Sequence, residues 1–104
     1  MKEIYKFKIN NKLYTIYDVE KIEGKDSYIG ETNYDNGRIF IERGNRQEML
    51  DTLRHELAHV WLYENNHPYQ AGGCFTYEDL CEYIALSNSS IYRIAENYKK
   101  AKGW

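Results

Sequence analysis

The stretch NRQEMLDTLRHELAHVWLYEN, residues 45–65, decides how this chain is organised. Leu50, Leu53, Leu57, Val60 and Trp61 recur in it at helical spacing and form one apolar stripe. Asn45, followed three residues later by Glu48, fits a capping box in its looser form. The spacing therefore predicts a helix from about residue 46 to about residue 65. Asn65-Asn66-His67-Pro68 ends it, because the residue before a proline avoids helical backbone.

Upstream of this helix the pattern changes to strands. EIYKFKI (3–9) and KLYTIYDVEKI (12–22) are rich in β-branched and aromatic residues. Asn10-Asn11 between them suits a tight hairpin turn, since asparagine tolerates positive φ. SYIGETNY (27–34) and GRIFIER (37–43) form a second pair around Asp35-Asn36-Gly37. Ile39 and Ile41 share one face of the last strand, and Phe40 takes the other. Downstream, HPYQAGGCF (67–75) reads as a loop, and Thr76 with Asp79 as another capping box. Tyr77, Leu80, Cys81, Ile84 and Ala85 form the buried face of a second helix. Ile91, Ile94 and Tyr98 continue the period, with Asn88-Ser89-Ser90 as a candidate break. Strands followed by helices predict an α+β fold: a small antiparallel sheet packed on two helices, as one domain over 1–104.

Bulk properties limit the functions available. The chain has 104 residues, 42% hydrophobic and 15% aromatic, which is too apolar for a disordered segment. Net charge is -2 with the two signs interspersed, so no nucleic-acid partner is expected. No apolar run approaches membrane length, so no membrane partner is expected either. Cys74 and Cys81 read as reduced thiols in a cytoplasmic protein.

Within the decisive helix lies His55-Glu56-Leu57-Ala58-His59. Helical residues four apart share a face, so both imidazoles can give a nitrogen to one divalent ion. Zinc accepts such donors and, with three protein ligands, acts in hydrolysis. Glu56 is turned about 100° from His55 around the axis. It is placed to act as general base without ligating. The same residues also fit a plain surface helix whose histidines are solvated.

Two histidines need a third ligand. A histidine six residues after His59, following a glycine, defines one arrangement, but Asn65 and Leu62 occupy those positions. His67 lies just past the helix and could bend back as a ligand, but it reads first as a surface histidine at a helix C-terminus. Glu78, Asp79 and Glu82 lie on the second helix, and Glu78 and Glu82 are one turn apart. Spacing leaves these two comparable. Cys74 is a further donor in the intervening loop, whereas Cys81 falls on the apolar face and reads as core.

TLRHELAHVWLY followed by EDLCEYIA resembles the ImmA/IrrE-type metallopeptidases, above all the short phage and prophage versions. The likeness covers about residues 28–86. It implies a gluzincin-like, minimal zincin fold. It also implies Zn2+ held by His55, His59 and Glu78, with Glu56 as catalytic base. Position 82 departs from the pattern, being glutamate where longer members tend to have asparagine. The resemblance further implies an edge strand beside the cleft that pairs with an extended peptide, and GRIFIE (37–42) is the candidate. Tyr63, Tyr69, Tyr77 and His67 lie in the right part of the chain to stabilise a transition state, but with 11 tyrosines present each reads first as packing or surface and none is singled out. The expected function is zinc-dependent hydrolysis of peptide bonds in an intracellular protein, with a repressor as the family's analogous target. The alternative is a non-catalytic module with structural zinc that engages a host or phage protein. A third function, base stacking by tyrosines, conflicts with the acidic balance.

Overall fold

The computed structural model describes residues 1–22, 29–65, 78, 81, 84–85 and 88–104. The chain forms β1 (Lys2–Ile9), β2 (Lys12–Val19), β3 (Gly30–Asn33), β4 (Arg38–Glu42), α1 (Arg46–Glu64) and α2 (Ser89–Lys102). Glu78, Cys81, Ile84 and Ala85 are also helical. The fold is α+β, as strands followed by helices predict.

Local chemistry sets each turn. Asn10 and Asn11 both take left-handed backbone, with φ of 50° and 70°, and close the β1–β2 hairpin as a two-residue loop. The Asn33 side chain accepts from the backbone N–H groups of Asp35 and Asn36, at 3.0 and 3.3 Å. Gly37 follows at φ 66°, where a Cβ would lie 2.2 Å from the Leu13 carbonyl oxygen, so only glycine fits. Asn45 caps α1 by accepting from Glu48 N–H at 2.8 Å. Asn88 caps α2 by accepting from Ser90 and Ile91 N–H, so Asn88-Ser89-Ser90 does start a new helix.

The sheet order is β1-β2-β4-β3. Both hairpins are antiparallel, but β2 and β4 run parallel, so the sheet is mixed rather than wholly antiparallel. Burial accounts for the order. Ile39 and Ile41 of β4 are fully buried and take an interior position beside Ile16 of β2. The strand GETN has little apolar surface to hide and takes the edge. Among the described residues β3 is therefore an edge strand beside α1, and the GRIFIE segment expected at the edge is interior.

One face of the sheet carries the core. Tyr14, Ile16, Ile39 and Ile41 meet Leu53, Leu57 and Val60 of α1, with Ile91 and Tyr98 of α2 in the same cluster. Trp61 is only partly buried against it. Cys81 and Ala85 are buried in the same core, and Ile84 packs partly against it, as the sequence pattern predicts. Asp18, 1% exposed, lies on the same face of β2 as Tyr14 and Ile16. It accepts from the Tyr98 hydroxyl at 2.8 Å and pairs with Lys102, which ties α2 to the sheet. Among the described residues, no helix is long and apolar enough to cross a membrane.

Candidate metal centre

α1 lies against the core through its leucines, which turns His55 and His59 toward a cleft of about 610 Å³ beside β3. The opposite wall is Ile29, Gly30, Glu31, Thr32 and Tyr34. Gly30 permits the close approach of strand and helix. A Cβ there would lie 2.6 Å from Thr52 Cγ2 and 3.1 Å from Glu56 Cγ.

Three donors converge in the cleft. Nε2 of His55 and Nε2 of His59 are 3.1 Å apart. Glu78 places Oε2 3.0 Å from His55 Nε2 and Oε1 3.5 Å from His59 Nε2. Each residue offers one ligand atom to a group whose members lie within 4.8 Å of one another. Bonds of about 2.0 Å to a tetrahedral ion put donors about 3.3 Å apart, so the spacing fits a shared cation. Facing ring nitrogens satisfy each other only if one bears a proton, whereas a cation accepts all three lone pairs. Two imidazoles and a carboxylate suit zinc and other first-row divalent ions alike.

Glu56 neighbours His55 in sequence but serves a different contact. It is 9% exposed and accepts from the Thr32 hydroxyl at 3.2 Å. Burial raises its carboxyl above the ordinary glutamate value of 4.5, and Glu78 and Glu31 add to this. The Thr32 hydrogen bond and His55 pull the other way without cancelling it. Glu56 thus lines the ligand cleft without belonging to the three-donor group.

The structure brings together His55, His59 and Glu78, with Glu56 beside them. His67, Tyr69, Cys74, Tyr77, Asp79 and Glu82 lie outside the described residues. Tyr63 stacks on Tyr34 with ring centres 4.3 Å apart, and Tyr34 lines the cleft. Thr32 and Gly30 were not singled out from the sequence. Their signal is alternation: both fall on the face of β3 that meets α1. Cys81 is core, as expected, yet its Sγ also lies 3.5 Å from His59 Nδ1.

Compared with known proteins, the chain matches no protein-family model, no curated protein and no solved structure.

Proposed function

We propose that the chain is a zinc-dependent metallopeptidase that hydrolyses peptide bonds in a protein target. One observation carries the reading: two helical histidine nitrogens, the Glu78 carboxylate and a buried glutamate meet at one cleft beside a sheet edge. His55, His59 and Glu78 would hold the ion. When bound, zinc polarises a carbonyl and brings the pKa of a water to about 7.

The remaining work falls to this chain's own groups. Glu56 is the general base. Its raised proton affinity suits a carboxylate that must take a proton and then deliver it to a leaving amine. Thr32 fixes that carboxylate against β3. Among the described residues β3 pairs with β4 alone, and its other edge can receive an extended peptide through backbone hydrogen bonds. The likeness to ImmA/IrrE-type peptidases supports the same reading. It also supports a cytoplasmic site of action, in a phage or prophage context, on an intracellular target such as a repressor.

Elemental analysis of the purified protein tests the centre. About one zinc per chain is expected, lost in His59→Ala and in Glu78→Ala. Glu56→Gln should keep the zinc. It should slow cleavage of a peptide library, read by mass spectrometry, by about 10²–10⁴-fold. If the wild type and Glu56→Gln behave alike, a zinc-held binding module replaces the peptidase.

A further inference from the structure

The ring of His59 is engaged on both sides. Its Nε2 lies 3.1 Å from His55 Nε2 and 3.5 Å from Glu78 Oε1, inside the donor group. Its Nδ1 lies 3.5 Å from Sγ of Cys81. Cys81 is wholly buried, so its sulfur is held within the core rather than in solvent. Glu78 and Cys81 are both helical and three residues apart, a spacing that places them on one side of a helix. Glu78 therefore brings an oxygen to the donor group and Cys81 a sulfur to the back of the same histidine.

From this geometry we infer that Cys81 is a positioning residue for His59. The inference rests on the metal-binding part of the proposed function. A ligating imidazole must present one unprotonated nitrogen, and its proton then sits on the other nitrogen and needs an acceptor. Thiol sulfur is a weak but competent acceptor. Accepting from Nδ1–H, Cys81 selects the tautomer whose Nε2 lone pair faces His55 and Glu78. It also fixes the plane of the ring, because the sulfur is packed within the core. The side chain thus has two contributions, filling core volume and accepting a proton, and substitutions separate them.

Cys81→Val fills the volume and accepts nothing. Cys81→Ser accepts a hydrogen bond but packs less well. Zinc Kd is measured for each by competition with a chromophoric chelator, alongside the melting temperature of the metal-free proteins. Positioning predicts that Cys81→Val weakens zinc binding by about tenfold. It predicts that Cys81→Ser stays within about threefold of the wild type, even if its melting temperature is the lower. The reverse order, with serine weak and valine normal, identifies a packing role and overturns the inference. Equal weakening in both also overturns it, because the acceptor then makes no difference. A wild type that takes up no zinc overturns both this inference and the metallopeptidase reading. A wild type that binds zinc tightly but cleaves nothing removes only the peptidase, since Kd reports positioning without catalysis.

Discussion

Two carboxylates lie in the layer between sheet and helices, and their surroundings differ. Asp18 is 1% exposed, with a tyrosine hydroxyl and a lysine directed at it. Glu56 is 9% exposed, held by the Thr32 hydroxyl, and borders an open cleft. At Asp18 the cation is supplied by the fold itself. At Glu56 the nearest partners are other candidate functional groups, and burial favours the protonated form. The difference teaches how to tell a carboxylate used for architecture from one kept for chemistry. The first has its countercharge built in, and the second retains access to solvent and a proton.

The comparison breaks most sharply under truncation. Asp18→Ala should lower unfolding free energy by about 3–5 kcal/mol, because Lys102 is left without its buried partner. Urea denaturation measures this, and a loss below about 1 kcal/mol would show that the pair does not hold the fold. Tyr98→Phe removes one hydrogen bond to the same carboxylate and should cost about 2 kcal/mol. Burial, followed by Asp18, pushes the Tyr98 hydroxyl well above the ordinary value of 10.0. The folded protein therefore keeps a proton that the unfolded chain gives up at alkaline pH. Stability is complete below about pH 10 and falls as pH rises beyond it, by up to about 1.4 kcal/mol per pH unit for this group. Tyr98→Phe should flatten that slope, and an unchanged alkaline profile would count against the assignment.

On the other side of the comparison the effects are smaller. Gly30→Ala inserts a methyl where Thr52 and Glu56 already crowd the strand, and should cost about 1–2 kcal/mol. It should also displace β3 from α1, which amide exchange at Thr32 would register. Glu56→Gln should change the stability of the metal-free protein least, by less than about 1 kcal/mol and toward greater stability. It removes a charge that burial disfavours and leaves Thr32 a partner. A large destabilisation there would place Glu56 in the same class as Asp18.

Much of this was legible in the chain. Asn10-Asn11, Gly37 and Asn45 are local signals read from the turn or cap each makes, whereas Asn88 stood only as a candidate break. The stripe on α1 and the pairing of His55 with His59 depend only on helical periodicity. The parallel β2–β4 pair was not legible, because periodicity reports which face of a strand is buried and not which strand lies beside it. The roles of Thr32 and Gly30 depend on β3 taking the edge next to α1, so they followed the same missing information. Asp18 shares the inward period of Tyr14 and Ile16, yet its partner Tyr98 is 80 positions away. Spacing on α1 did not choose among the acidic candidates. Among the described residues, the contacts of Glu78 with both histidines exist only in three dimensions.

The Asp18 tie also orders events in time. Synthesis runs from the N-terminus at about 5–20 residues per second. Both hairpins leave the ribosome before the residues of α2, so the strands can pair while the proton donor and cation for Asp18 are still unmade. The carboxylate stays hydrated until the last stretch of helix arrives. Closure across 80 and 84 positions is then a late, non-local step. A nascent chain stalled ahead of Tyr98 would hold the four strands and α1 but lack the clasp that ties α2 to the sheet.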